Sequence, residues 1–584
     1  MRNVATLAAL LCCTMSAAKA QEFDPARNAF AATDDPLGER VTSVVYLDQN
    51  WSPAQSLQFY FTSQGAQIVP YGWFLALEQP DSTTPFRDNQ NILKYRYLPQ
   101  NAGPKNPDGL PVGFVAGSGT GRSWLGMTCA ACHTAEIRLG TTAYRIDGGP
   151  TGGDVRAFLT DLTRALQNTQ TDPAKFGRFA TTVLGSINSP ANQAELKAQL
   201  GVVISARVGY NLRNFPGYDP APGMPTAPTR YARLDAVGAI VNEIFYHAVP
   251  AADLVSPTVA TKPADAPVSY PFLWDTPQHD VVQWLGIAKN GGPLDILTLS
   301  RNVGEVLGVF ADFAIPENPS LLNLGYSSSV KIAETAALED LLKSLWSPLW
   351  PDDFPSIDPV AAAAGAILYK ANCVSCHAII DRKDPHRKVT AVMNDSGTDP
   401  GAAENFFTRT GPSGKLSGVT VNFVPFTAKI PPVATADMML TNEVTGVILG
   451  AFKQAPPDEL RQLSFRAATS AGVQPAVVRQ GAKYKGRPLN GIWATAPYLH
   501  NGSVPTLDAL LQPAARRPSS FAIGVRTFDP VHVGFLTDAP GFPCYNVNNP
   551  DGTPIVGNSN IGHEFGANLS DVARGQLLEY LKTL

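Results

Sequence analysis

The sequence predicts a mainly α-helical chain of two tandem units with long loops and an N-terminal extension. Three observations lead there. The pattern C-x-x-C-H occurs twice, beginning at Cys129 and Cys373. Each copy is followed, far along the chain, by a segment with leucines at helical spacing. A proline-rich stretch separates the two. The boundaries read as a signal peptide at 1–20, an extension at 21–105, a first unit at 106–346, a linker at 347–359 and a second unit at 360–584.

Taken in order, Arg2, the apolar run Val4 to Met15 and Ala18-Lys19-Ala20 before Gln21 have the layout of a cleaved export signal. The run is too short for a bilayer core, which needs about 20 residues. Export to the periplasm or beyond is the expectation, with no stable membrane insertion. The first unit closes on a helix expected over Ile332 to Trp346, with Leu338, Leu341, Leu342 and Leu345 on one face. About 200 residues separate His133 from it, including proline-rich loops at Phe215 to Pro228 and Pro257 to Pro271. Pro348, Pro351, Pro355 and Pro359 mark the linker. In the second unit Asp358 can cap a helix that carries Pro359 at its first position and runs from Val360 to Ala371. Gly365 and Tyr369 share a face of that helix. Ser570 can cap a last helix, Asp571 to Leu584, with Leu577, Leu581 and Leu584 aligned.

Composition narrows the function. The chain has 584 residues, 44% hydrophobic and 16% charged, with a formal charge of −4. It has ample material for a core and no Lys/Arg run, so neither nucleic acid nor an anionic membrane is an expected partner.

Cys12 and Cys13 fall in the leader, which leaves Cys129, Cys132, Cys373, Cys376 and Cys544. The two Cys-x-x-Cys pairs could form disulfides or share a four-thiolate zinc site. The histidine after each pair favours covalent attachment of c-type haem. Two cysteines about one helical turn apart can form thioethers to the two vinyl groups of one porphyrin, and the adjacent histidine faces the iron. Two haem c groups are therefore expected, with Cys129, Cys132, Cys373 and Cys376 as attachment points and His133 and His377 as iron ligands. Cys544 reads as a small buried apolar residue.

The leading helix, C-x-x-C-H and closing helix resemble a cytochrome c domain. The run from Trp493 to Leu507, Trp-Ala-Thr-Ala-Pro-Tyr-Leu-His-Asn-Gly-Ser-Val-Pro-Thr-Leu, is similar to a segment of the bacterial di-haem cytochrome c peroxidase superfamily. The lead-in Asn490-Gly491-Ile492-Trp493 and the late Gly562-His563-Glu564-Phe565-Gly566 resemble its rubber-oxygenase-like branch. The resemblance covers both units, but not the extension or the proline-rich insertions.

What it implies is an oxidoreductase. The His133 haem would react with peroxide or dioxygen, and the His377 haem would relay or store electrons. A small redox protein would donate electrons, and an unsaturated hydrocarbon is a substrate option in the oxygenase-like branch. Some members also need an inter-domain calcium, for which this sequence carries no motif. The compact peroxidases use a methionine soon after the shared segment, yet Leu510 to Ser520 has none. That leaves His563 first, then His500 and Met438 or Met439, as second ligand of the His377 iron. Glu305 falls roughly where the superfamily places a distal acid–base glutamate, amid the apolar Val303, Val306, Leu307, Val309 and Phe310. Trp274 and Trp284 are candidate bridges between the haems, since Asn168 to Arg178 lacks the tryptophan found in compact members. His247, His279, His386 and His532 read as surface or hydrogen-bonded structural residues. The alternative to an enzyme is a non-catalytic di-haem electron-transfer cytochrome.

Overall fold

The computed structural model describes residues 25–119, 121–215, 231–250, 253, 261–291, 296–319, 325–423, 426–455 and 483–584. The predicted leader, most of the loop from Phe215 to Pro228 and the start of that from Pro257 lie outside the described residues. Among the described residues no helix is long and apolar enough to cross a membrane.

The helices predicted around the second motif form where their caps place them. Helix α1 (Pro359–Asn372) starts on Asp358, whose carboxylate accepts from the Val360 and Ala361 N–H groups. Helix α2 (Asp571–Lys582) starts on Ser570. The two cross at Gly365, where a Cβ would fall 2.0 Å from the Gln576 carbonyl oxygen. Only a residue without a side chain lets the backbones approach so closely. The helix closing the first unit is shorter than predicted, Ile332–Leu342.

The fold class needs correcting. Among the described residues helix takes 39% and strand 17%, in many small sheets, so the fold is not mainly α. Strands β1 (Ser43–Tyr46), β2 (Thr134–Leu139) and β3 (Thr142–Asp147) form one such sheet, in the order β1-β3-β2. Strand β1 runs parallel to β3 and β2 antiparallel to it. Further on, β4 (Val392–Asn394) pairs with β5 (Tyr484–Gly486). Most strands are two to six residues long, too short for a period-two pattern to stand out in sequence.

Two tandem haem domains are not seen either. One apolar core joins Val44, Tyr60 and Ile137 to Trp274, Leu345, Trp493, Phe528 and Leu577. A second joins helices α3 (Ala236–Ala248) and α4 (Ile296–Gly308) to α5 (Ala436–Gln454). Both draw on each half of the sequence. A buried ion network crosses it again. Arg96 pairs with Asp35 and Glu39, Arg138 with those two and Glu136, and Arg145 and Arg526 both reach Glu136.

Candidate functional site

The first motif opens as one helical turn, Cys129–Cys132, capped by Thr128. Gly113, at φ +81, backs it so closely that a Cβ would lie 2.0 Å from the Ala131 nitrogen. Gln64 reaches in from the N-terminal segment, its Oε1 accepting from the Cys129 N–H at 3.0 Å and standing 3.2 Å from the thiol sulfur. The His133 Nδ1 lies 2.8 Å from the Pro271 carbonyl oxygen. A carbonyl only accepts, so the proton sits on Nδ1 and leaves Nε2 free for a metal. Burial holds the His133 imidazole down at about 4, which keeps it neutral at ordinary pH.

Burial also pushes the Cys129 thiol up to about 12, with the charges of Glu339 and Glu305 adding to it. Glu305 acts on Cys132 as well, so α4 brings this glutamate beside the first motif. Glu305 is partly buried and accepts from the Gln283 amide. Burial pushes its carboxyl up to about 7 against the pull of Gln283 and Arg301. Arg301 and Asn302 both donate to Glu339 on the facing helix.

The second motif follows α1. Cys373 caps the helix, the Tyr369 hydroxyl donates to the His377 carbonyl at 2.8 Å, and His377 Nδ1 donates to the Arg487 carbonyl at 2.6 Å. The free edge of His377 again belongs to Nε2. A cavity of about 1390 Å³, part of it open to solvent, is lined by Cys373, Cys376, His377, His500 and His563 among largely apolar neighbours.

His563 lies across from His377, with ring centres 6.1 Å apart. An imidazole nitrogen binds a metal at about 2.0–2.1 Å, with the ring centre about 1 Å behind it, so two imidazoles sharing one ion stand about 6 Å apart. The pair therefore fits an iron between them. The Nδ1 of His563 finds no hydrogen-bond partner in another residue. Its backbone is held at φ +50, unusual for a residue with a side chain, by an N–H bond to the Ser396 carbonyl and by Arg517 donating to its own carbonyl.

The other predicted residues are distributed as follows. His500 stacks on Tyr484 at 3.7 Å within the cavity wall. Met439 is buried and Met438 partly so, both in the apolar core around α5 rather than in that wall. Trp284 lines the cavity, whereas Trp274 is fully buried, stacked on Phe272 at 4.6 Å. Cys544 is exposed, not buried as expected, because it sits on a short strand at the surface. His532 pairs with Asp529, and His247 packs on Phe313. His279 is buried with neither ring nitrogen bonded, unlike the satisfied histidine expected.

Sequence reasoning passed over Gln64, Tyr270, Pro271, Lys485 and Arg487. Pro271 and Arg487 act through backbone carbonyls, which leave no side-chain signature. They are also linked, since Arg487 Nη2 donates to the carbonyl of Phe272, the residue after Pro271, at 2.7 Å. A run of hydrogen bonds and short covalent stretches thus joins the two motif histidines.

Residues 483–522, which supply part of the cavity wall, match the RoxA-like, cytochrome c-like family. The uncharacterized protein y4iJ of Sinorhizobium fredii is 31% identical, over 95% of this chain and 95% of its own length. The uncharacterized protein y4iM of the same organism is 28% identical over 46% of this chain and 49% of its own length. A cytochrome c-like segment implies covalently bound haem c, and the cavity beside residues 483–522 is lined by the C-x-x-C-H residues Cys373, Cys376 and His377. The chain belongs to the family of the Sinorhizobium fredii protein y4iJ and carries within it a RoxA-like cytochrome c segment.

Proposed function

We propose that the chain is an exported oxidoreductase holding haem c at both motifs, with peroxide or dioxygen reacting at the His133 side and electrons relayed through the His377 side. Haem c supplies one-electron chemistry and, where the iron keeps an open position, a place for an oxygen species to bind. Cys129, Cys132 and His133 would hold one group. Cys373, Cys376, His377 and His563 would hold the other. The observation that carries the reading is this asymmetry. His377 is faced by a second imidazole, whereas the ring packed against His133 is Tyr270 and the acid nearby is Glu305.

Glu305 suits proton transfer because its carboxyl titrates near neutral pH, so it can take a proton and return it. Gln283 fixes its orientation. His133 and His377 are each aimed by a backbone carbonyl, and burial keeps both imidazoles neutral against the pull of that bond, ready to ligate. The apolar side chains around α4 keep water away and suit an unsaturated hydrocarbon better than a wet peroxide pocket. A small redox protein would deliver electrons.

The test is electron paramagnetic resonance of the ferric protein, with haem counted from its pyridine adduct. Two haems, one high-spin or weakly ligated and one low-spin, are expected. Oxygen uptake measured against peroxide consumption then separates oxygenase from peroxidase. Two strongly ligated low-spin haems, unchanged on partial reduction, would sink the enzyme reading in favour of an electron carrier.

A further inference from the structure

Two buried cations beside the second motif lack an anion to match them. Lys485 is 6% exposed, and its Nζ donates only to the Val281 carbonyl, at 3.0 Å. Arg487 is 5% exposed; Nη2 donates to the Phe272 carbonyl, while Nε is buried without a partner. Among the described residues neither side chain forms an ion pair within 4.0 Å. The carboxylates that feel them are engaged elsewhere. Asp275 is bound by Arg387 at 2.5 Å and by Asn490, and Asp280 accepts from the Val281 and Ala391 N–H groups. His279, with both ring nitrogens unbonded, lies within electrostatic reach of both cations, and Arg301 adds positive field from the side of the first motif.

An ammonium or guanidinium taken out of water without counter-charge is disfavoured, and burial pushes the Lys485 ammonium well below 10.5; an anion that meets it restores the charged form. Both side chains line the cavity that contains Cys376 and His377. A porphyrin attached through Cys373 and Cys376 would bring two carboxylates of its own into that space. No other anion is needed to explain the unpaired donors.

We infer that Lys485 and Arg487 form a carboxylate site that receives the propionate side chains of the porphyrin attached at Cys373 and Cys376. The inference rests on the haem reading above and goes beyond it by assigning the groups that neutralise the cofactor. Arg487 then has three contacts to maintain. Its carbonyl aims His377, its Nη2 ties the segment after Pro271, and its unpaired Nε is left for the propionate. A cation paired to a propionate also disfavours the ferric iron, because it cancels the negative charge that would stabilise the higher oxidation state.

The experiment is a potentiometric titration of the full-length haem-loaded protein, following the low-spin haem, in wild type, Lys485→Met and Lys485→Arg. Lys485→Met is expected to shift the ferric–ferrous equilibrium of that haem about tenfold toward ferric, which is about 59 mV for a one-electron couple. Lys485→Arg keeps the charge and should restore the wild-type midpoint. An unchanged midpoint in Lys485→Met, with both haems attached, overturns the assignment. Should that variant fail to mature, resonance Raman of the wild type carries the test. A propionate bending band that shifts between light and heavy water is expected, and an unshifted band overturns the assignment. Wild-type protein without haem would instead remove the reading beneath it, and the pyridine-adduct count tells the two failures apart.

Discussion

Glu305 and Glu443 are both glutamates held in apolar surroundings, and they differ in what surrounds the carboxyl. Glu305 has Gln283 and Arg301 to moderate its burial, and it titrates at about 7. Glu305→Gln should therefore lower turnover by about 10²–10⁴-fold, the usual share of a positioned acid–base group. The haem spectra should stay as they are. The wild-type rate should fall as pH drops below about 7 and the base is protonated, while the variant's rate stays flat. A stopped-flow pH profile of both proteins decides it. Glu443 on α5 has no such help. Both oxygens are buried and unbonded, and burial pushes the carboxyl well above 4.5. Its folded-state value exceeds its unfolded one, so its stability contribution is complete below about 4.5 and is lost as pH rises. Glu443→Met should then be more stable than wild type at pH 7. The gap should close near pH 4.5, as thermal unfolding across that range would show. At the cavity, His563→Ala should convert one low-spin haem signal to high-spin. An unchanged spectrum would remove His563 as a ligand.

At the scale of elements, the crossing of α1 and α2 is the contact most open to a single atom. Gly365→Ala puts a methyl 2.0 Å from the Gln576 carbonyl oxygen and 2.8 Å from the Tyr580 Cβ. Overpacking of this kind costs about 1–3 kcal/mol. Asp358→Ala, which removes a cap without touching the crossing, should cost about 1 kcal/mol. Denaturant titration of both variants should rank them in that order. These helices were legible in the sequence because a cap, a first-turn proline and leucine spacing are local signals. The C-x-x-C-H motifs were legible for the same reason. Other features were not. The approach of His563 to His377 came from a resemblance, since 185 positions of intervening chain carry no pattern that joins them. Lys485 sits in a strand of three residues, where burial depends on partners drawn from Val392–Asn394 and the Val281 region. Nothing local marks a lysine as buried.

For the molecule as a whole, Glu136 is the point where distant parts meet. Burial alone would raise its carboxyl, but Arg526, Arg138 and Arg145 bring it down to about 2. A lowered folded-state value means the contribution is present above about 4.5 and is lost as pH falls toward about 2. Glu136→Ala leaves three guanidinium groups facing a gap, and breaking a buried network this way costs about 3–5 kcal/mol. Limited proteolysis of the variant should then cut both the segment around Asp35 and the loop around Arg526, although they are far apart in sequence. The shared core makes a further prediction. Residues 25–346 expressed alone should show no cooperative thermal transition, because Trp493, Phe528 and Leu577 are missing from the packing. A sharp transition in that fragment would show that the first half folds on its own after all.

The partly buried surroundings of the Cys129 and Cys132 thiols also say something about time. A thiol becomes reactive as its thiolate, yet burial in the finished fold pushes both up to about 12. On the haem reading, chain that has already folded should therefore accept haem at this position more slowly than unfolded chain, as a time course of attachment would show. On that reading attachment comes while the segment is still open, before Gln64 arrives from one direction and the Tyr270–Trp274 strip from the other. The order of assembly is set by what the last pieces would seal in, so a chain that folds too fast in the absence of its cofactor would be trapped without it.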